Sequence, residues 1–163
     1  MRTSILALAL TAISVCAGHA AEPSAILEIG GASETGLSGG TGFGPSLAVE
    51  ATPIEDLLEI EAGIAPLFSH GQTEWDTDFL FKRPYTLSDR AEFMLGIGPT
   101  WSHSLHGGQT TDTFGASLAL DFMFWPWKKR DVGWYVEPGY GFNFAHGHEQ
   151  SLSMSIGLLI PIP

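Results

Sequence analysis

The chain has almost no cysteine, no long hydrophobic run in its mature part and little positive charge, and each shortage argues against a class of protein. Its one cysteine, Cys16 among 163 residues, leaves no internal disulfide for a small cross-linked secreted scaffold. Beyond residue 20 the apolar runs are far shorter than the roughly 18 residues of a membrane-spanning helix. Seven Lys and Arg against eighteen Asp and Glu give a formal charge of −11, which argues against nucleic acid and anionic membrane surfaces as partners.

The first twenty residues have the pattern of a secretory signal peptide. Arg2 supplies the positive charge, residues 5–17 form a short apolar run, and small residues lead up to Ala20. We therefore predict a cleaved signal peptide at 1–20 and a single β-barrel domain at 21–163. Loss of Arg2 leaves six Lys and Arg against eighteen Asp and Glu, a formal charge of −12.

The mature chain is instead rich in alternation between apolar residues and small or acidic ones. The clearest stretch is 114–124, and successive side chains of a strand point to opposite faces. One face carries Ala116, Leu118, Leu120, Phe122 and Phe124. The other face carries small residues and Asp121. One side of this strand therefore suits lipid, and the other suits a polar interior.

Eight stretches of strand length show this kind of pattern. They are 24–33, 44–54, 58–69, 75–84, 90–102, 113–125, 132–145 and 150–160. Only helices and closed barrels satisfy every backbone polar group within a bilayer, and no helix of sufficient length is present. We predict an all-β fold, an eight-stranded antiparallel up-and-down transmembrane β-barrel with lipid outside and polar groups inside.

The connections and the aromatic residues fit the same picture. Turns at 55–57, 85–89 and 127–131 are short, whereas 35–43 and 103–112 are longer and rich in glycine, so we expect short turns at one end and long loops at the other. The Trp and Tyr residues lie near the predicted strand ends, as in membrane-interface belts.

Four prolines fall inside the predicted strands, where proline cannot donate a ladder hydrogen bond. They are Pro45, Pro66, Pro99 and Pro138. We expect a β-bulge or a strand end at each of them. The similar segments Gly-Phe-Gly-Pro at 42–45 and Gly-Ile-Gly-Pro at 96–99 suggest a repeated local device.

The pattern resembles the small eight-stranded outer-membrane barrels of Gram-negative bacteria of the OmpA/OmpX type. It is also similar to uncharacterised alphaproteobacterial outer-membrane barrel proteins with segments like LDFMFWP at 120–126 and WYVEPGYG at 134–141. The resemblance spans the mature chain and implies location in the cell outer membrane, with the lipid bilayer and the barrel-assembly machinery as partners. Many such barrels end in an aromatic residue that this machinery reads, whereas this chain ends LLIPIP.

The polar faces of the strands carry an acidic set with a single clear cation. Its members are Glu28, Glu50, Glu61, Asp78, Lys82, Glu92, Asp121 and Glu137. Buried carboxylates need partners. One interpretation is an ion-pair network that fills the lumen, and the other is a cation path or a small acidic cavity. Eight strands leave little room beyond the side chains, so we predict no open pore.

Histidines near the predicted loops raise the possibility of a metal site. The pairs His103 with His106 and His146 with His148 would lie at the same end of the barrel. Imidazole binds zinc, copper and nickel, although solvated loop histidines are common and the spacing matches no specific site.

Two further functional hypotheses stay open. The resemblance admits a lipid-modifying hydrolase that uses Ser, His and Glu, for which His148, Glu149 and Ser151 are the available residues, although the expected His-x-Ser-Asn segment is missing. A soluble periplasmic barrel binding a small apolar ligand would require the apolar face inward. We expect a structural or surface-interaction protein, with no catalytic residue and no cofactor.

Overall fold

The computed structural model describes residues 25–127, 129–145 and 147–162, and the predicted signal peptide lies outside them. Eight strands follow one another along this part of the chain. They are β1 Ala25–Gly36, β2 Thr41–Ile54, β3 Leu58–Ser69, β4 Gln72–Ser88, β5 Ala91–His106, β6 Gln109–Phe124, β7 Gly133–Asn143 and β8 Gln150–Ile162. All eight correspond to predicted strands.

Every strand pairs antiparallel with its neighbour in sequence, and β8 returns to pair with β1. This closing ladder runs from Ala25↔Ile162 to Gly36↔Ser151, so it joins the first and last strands along their whole length. The prediction of a closed, eight-stranded, up-and-down barrel is confirmed. No helix in the described part of the chain is long and apolar enough to cross a membrane.

The two faces of the barrel wall differ as the alternation predicts. On β8, Leu158 is 52% exposed on the outside, whereas the next residue, Leu159, is fully buried in the lumen. On β6, Asp121 is fully buried inside, and Leu118 lies outside. Apolar side chains outside and carboxylates inside contradict the soluble-barrel hypothesis, which needed the reverse arrangement.

The two ends of the barrel differ in the connections that they carry. The terminal end carries both ends of the described chain and the connections 55–57, 89–90 and 125–132. The hairpin end carries the other four connections, which are 37–40, 70–71, 107–108 and 144–149.

The prediction of short turns at one end and long loops at the other is wrong. The connection between β5 and β6 is only Gly107 and Gly108, both with positive φ, because the strands continue through most of the segment 103–112. The longest connection is instead 125–132, at the terminal end. Two glycines close a tight hairpin without steric cost. The glycines of this segment therefore form a two-residue turn and not a long loop.

The prolines interrupt pairing on one side of their strands without changing the register. The β2–β3 ladder skips from Phe43↔Phe68 to Leu47↔Ile64 and keeps its register across Pro45. Pro66 lies in the same gap, and similar gaps in other ladders include Pro99 and Pro138. The register shifts lie elsewhere, between Ala51 and Ile54 and between Thr86 and Ser88, so the expectation of bulges or strand ends at the prolines is wrong.

The glycines of the two Gly-x-Gly-Pro segments explain how these gaps are accommodated. A Cβ atom at Gly44 would overlap the carbonyl oxygen of Pro66, and one at Gly98 would overlap that of Phe79. Each glycine thus lets the neighbouring strand approach closely beside the missing proline donor. The repeated segment is a local device that keeps the barrel closed across a proline.

A small apolar core fills the lumen at the terminal end. Its members are Met94, Met123, Trp125, Tyr135 and Leu159, with Ile26 packed against them. All are inward-facing or lie just beyond a strand end, so this group, called the apolar plug below, occupies the lumen at one end of the barrel. Above it, toward the hairpin end, the inward positions become charged and then small and polar.

Candidate functional site

Lys82 lies at the centre of the lumen, where four carboxylates surround its ammonium group. Its Nζ donates hydrogen bonds to Asp121 Oδ2 at 2.9 Å and to Glu137 Oε2 at 2.7 Å. Glu61 contacts the same nitrogen, and Glu50 Oε2 lies 3.6 Å away. The four acids come from four different strands, so one cation ties together most of the barrel circumference.

The fold makes room for Lys82 through the residue that faces it on the next strand. Lys82 of β4 pairs with Gly96 of β5, which pairs in turn with Ala119 of β6. A Cβ atom at Gly96 would lie 2.9 Å from Lys82 Cγ. The small residues at these inward positions therefore leave space for the long side chain to cross the lumen.

The charged centre, defined as Lys82 with Glu28, Glu50, Glu61, Asp121 and Glu137, is strongly unbalanced. One oxygen from each of Glu28, Glu50, Glu61 and Asp121 lies within 4.8 Å of the others. Glu28 Oε1 and Asp121 Oδ1 are buried without a hydrogen-bond partner among the described residues. One ammonium group cannot compensate so many carboxylates at this spacing.

Two predicted members, Asp78 and Glu92, are not part of this centre, and Glu92 has a different partner. It accepts a hydrogen bond from Arg130 Nη1 at 3.0 Å, in the connection between β6 and β7. The Arg130 guanidinium also lies 5.6 Å from the centre of the Trp125 ring. Glu92 therefore helps to hold this connection under the apolar plug and is no partner of Lys82.

Above the charged centre the lumen widens into a polar cavity of about 380 Å³. Its walls include Asp78, Asp76 and Glu74 of β4, and they reach Gly39 in the β1–β2 turn and Glu149 beside β8. Glu74, Asp76 and Asp78 occupy successive inward positions of one strand, so the cavity is acidic along its length. This vestibule, as we call it below, extends to the hairpin end.

A smaller chamber of about 60 Å³ lies beside the charged centre. It is lined by the carboxylates Glu28, Glu61, Asp76, Asp78 and Glu137 and by the hydroxyl-bearing residues Ser46, Tyr135 and Ser155. Asp76, Asp78 and Glu137 line the vestibule as well. The chamber is therefore the inner continuation of the vestibule.

The predicted histidine site is only partly within the described residues, because His146 lies outside them. His103 Nδ1 is 2.7 Å from Asp112 Oδ1, an exposed pair that joins β5 to β6. The ring of His148 stacks on Phe142 at 5.5 Å. Among the described residues, no histidine shares a group of three potential metal ligands. Metal binding by these histidines stays a prediction.

The residues considered for hydrolysis also have structural partners. His148 has a positive φ of 47° and packs on Phe142, and the backbone oxygen of Glu149 accepts a hydrogen bond from the Asn143 amide at 2.9 Å. Ser151 lines the vestibule. This segment acts as the connection that carries β7 into β8.

Several important residues were missing from the sequence-based site. Trp125 was expected in a membrane-interface belt but lies in the lumen, 1% exposed. Glu74 and Asp76 were not included in the acidic set, although they precede Asp78 at two-residue steps on β4. That spacing was a usable signal, because residues two apart on a strand share a face.

No protein-family model matches this chain, and no curated protein matches it. Solved structures do. The chain is similar to Neisserial surface protein A, with a TM-score of 0.66 and 12% identity over 85% of this chain and 96% of that one. The chain has the fold of the small outer-membrane β-barrels.

Two more solved barrels show the same likeness. Ail, the attachment invasion locus protein of Yersinia pestis, gives a TM-score of 0.55 with 12% identity over 85% of this chain and 98% of that one. The outer membrane enzyme PagL gives 0.54 with 12% identity over 83% and 99%. A surface protein and an enzyme share this fold, so function has to be argued from the residues themselves.

Proposed function

We propose that this chain is a closed barrel of the outer membrane with a structural or surface-interaction role. The observation that carries the proposal is the way the barrel is filled and faced: an apolar plug below, a charged centre above it, and lipid-compatible side chains outside. An eight-stranded barrel filled in this way has no room for solute transport. Location in the outer membrane is supported by the fold of its neighbours.

The dimensions of the wall support a membrane location. On β5, the stretch from Phe93 to Trp101 is nine residues long, counting both aromatic residues. This length matches the roughly 9–11 residues of a tilted transmembrane strand. Phe93 packs against Tyr85 and Phe122 near the terminal end. The strand length between these levels is therefore that of a strand crossing a membrane as part of a barrel.

The hairpin end supports a role in surface contact. Beyond Trp101, β5 continues to His106 and pairs with β6 up to Gln109, so this hairpin projects past the interface level. Most of its residues are polar and at least partly exposed, Leu105 is an exposed apolar residue, and the pair His103–Asp112 braces it. We propose that this end faces the cell exterior and that the assembly machinery inserts the barrel with its terminal end in the periplasm.

Cell fractionation tests the membrane location. Full-length chain expressed in a Gram-negative host is separated into periplasm and outer membrane, and the membrane fraction is run unheated and boiled. We expect protein in the outer membrane with a band that shifts on boiling. Soluble periplasmic protein without a shift would contradict the proposal.

Conductance tests the sealed lumen. Purified barrel in planar bilayers should give no channel steps, because the apolar plug closes one end of the lumen. A Leu159→Gly variant is the matched comparison, since it opens space in the plug without changing the charged centre. Stable steps from the wild-type barrel would contradict a non-transporting role.

A further inference from the structure

We propose that the chamber at mid-lumen, lined by Glu28, Glu61, Asp78 and Glu137, binds one divalent cation of the calcium class beside Lys82. The proposal concerns the interior and does not depend on what the hairpin end contacts. It follows from the charge balance, from an unpartnered buried oxygen and from the path by which an ion would enter.

The charge balance requires further positive charge at this level of the lumen. Lys82 has four ion-pair partners, and Glu28 is not among them. With Glu28 and Asp78 the local carboxylates number six against one ammonium group. If all six are ionised, the net charge is −5 in a space closed to solvent below, which is costly unless cations or protons enter.

Glu28 points to a ligand that is not part of the protein. It is 2% exposed, it lines the chamber, and its Oε1 has no hydrogen-bond partner among the described residues. A buried carboxyl oxygen left without a partner costs more free energy than a typical hydrogen bond contributes. A bound cation would satisfy this oxygen and its neighbour Glu61 together.

The donor set and the size of the chamber select the class of ion. The lining offers carboxylate oxygens and the hydroxyl groups of Ser46, Tyr135 and Ser155, with no sulfur or imidazole among its residues. Hard cations take such all-oxygen sites, and calcium accepts six to eight oxygens in irregular geometry. A chamber of about 60 Å³ holds one ion with part of its water shell.

The vestibule provides an entry path to the chamber from the hairpin end. Asp76, Asp78 and Glu137 line both the chamber and the vestibule, so a cation can pass from one to the other along carboxylates. The apolar plug closes the other side. A cation would therefore enter and leave the site through the vestibule and would not cross the barrel.

Calorimetric titration of calcium into the purified, folded barrel tests the proposal. The mature chain is stripped with EDTA in an uncharged detergent at about 0.15 M NaCl, which screens exposed carboxylates. We expect one calcium ion per barrel. Glu28→Gln and Asp78→Asn should each weaken binding at least about tenfold, whereas Glu55→Gln in an exposed turn and Glu149→Gln at the vestibule rim should leave it unchanged.

Thermal unfolding of the same samples distinguishes an ion bound in the chamber from one bound elsewhere on the barrel. Calcium should raise the Tm of the wild type more than that of Glu28→Gln at the same calcium concentration, because tighter binding stabilises the folded state more. In EDTA, Glu28→Gln should unfold at a higher temperature than the wild type, since it removes an uncompensated charge while keeping its shape.

Three results would overturn the proposal. Absence of calcium binding to the wild type, with a Tm that rises only as the pH falls, would show that protons balance the carboxylates. Unchanged binding by Glu28→Gln would place the ion elsewhere, and loss of binding in Glu149→Gln would move it to the rim. The boiled and unheated gel shift confirms in each case that the variant is folded.

Discussion

The two halves of the lumen differ, although the same eight strands form both. The terminal half is filled by the apolar plug and covered by the connection that carries Arg130. The hairpin half is a polar vestibule of about 380 Å³ walled by small and acidic residues. Lys82 and its four carboxylates form the border between them.

Alternation along the strands therefore does not by itself determine what the lumen of a barrel contains. Inward positions on β6 run from Met123 through Asp121 to Ala119 and Ser117, so one strand passes from apolar to charged to small. The size of the inward side chains decides where the lumen is closed. Their charge decides what has to enter where it is open.

Removal of the Lys82 charge should have the largest effect on the free energy of unfolding. Lys82→Met keeps much of the side-chain volume but leaves Asp121, Glu137, Glu61 and Glu50 without their common partner. We expect a loss of about 3–5 kcal/mol in the free energy of unfolding, measured by urea titration with the heat-dependent gel shift as readout. Lys129→Met, in an exposed turn, is the matched control and should change little.

An unfolding midpoint of Lys82→Met equal to that of the wild type would mean that the carboxylates do not depend on Lys82. The border would then be held by packing alone, and the two halves would differ less than the contacts suggest. A second measurement in lower pH buffer sharpens this result, because protonation of the carboxylates should restore part of the lost stability of the variant.

The apolar plug should be the next most sensitive feature, and β8 offers an internal comparison. Leu159 is fully buried in the lumen, whereas Leu158 is 52% exposed toward lipid. Leu159→Ala should lower the free energy of unfolding by about 2–5 kcal/mol through lost packing and a cavity. Leu158→Ala should cost clearly less under the same conditions.

Equal effects at the two leucines would show that the inner face of β8 is not better packed than its outer face. Urea titrations of both variants in one detergent decide the matter. The comparison depends only on the difference between neighbours, so the unknown structure of the unfolded state largely cancels.

The fold was predictable from sequence because its signals are local and repeated. Alternation over eight stretches indicated the strands, their even number and their inward faces, and Glu61, Asp121 and Glu137 were expected inside for this reason. A period of two assigns a face with no knowledge of the partner strand. The closed barrel then follows from the need to satisfy every backbone group in lipid.

The contacts within the lumen could not be predicted in the same way. Face assignment does not give height in the barrel, which depends on register and strand tilt. Glu92 and Lys82 were therefore grouped together, although Glu92 belongs to Arg130 below the plug. Trp125 lies just past the end of β6 and turns inward, where no periodic pattern applies.

Filling the space beside Lys82 should have a smaller effect on the free energy of unfolding. Gly96→Ala places a Cβ atom 2.9 Å from Lys82 Cγ, so the Lys82 side chain must shift from the position in which it meets its carboxylates. We expect a loss of about 1–3 kcal/mol in the free energy of unfolding. Gly31→Ala is the control, because its Cβ atom would meet only the Gly44 carbonyl oxygen at an ordinary 3.6 Å.

The result at Gly96 distinguishes two contributions of Lys82 to stability, its charge and its exact position. If Gly96→Ala is as stable as Gly31→Ala, Lys82 has room to move, and its charge matters more than its position. If Gly96→Ala also changes the calcium affinity of the chamber, position matters to the site as well. Urea titration and calorimetry on the same preparation give both quantities.

Loss of the Arg130–Glu92 pair at the terminal end should have the smallest effect on the free energy of unfolding. Arg130 and Glu92 form a hydrogen-bonded pair at 3.0 Å, with side chains 27% and 19% exposed, so solvent weakens their attraction. Arg130→Met should therefore cost no more than about 1 kcal/mol in the free energy of unfolding, and the cost should fall as salt rises. Stability measured by urea titration at low and high NaCl provides the test. A loss comparable to that of Leu159→Ala would mean that the connection under the plug, and not the plug itself, keeps this half of the lumen closed.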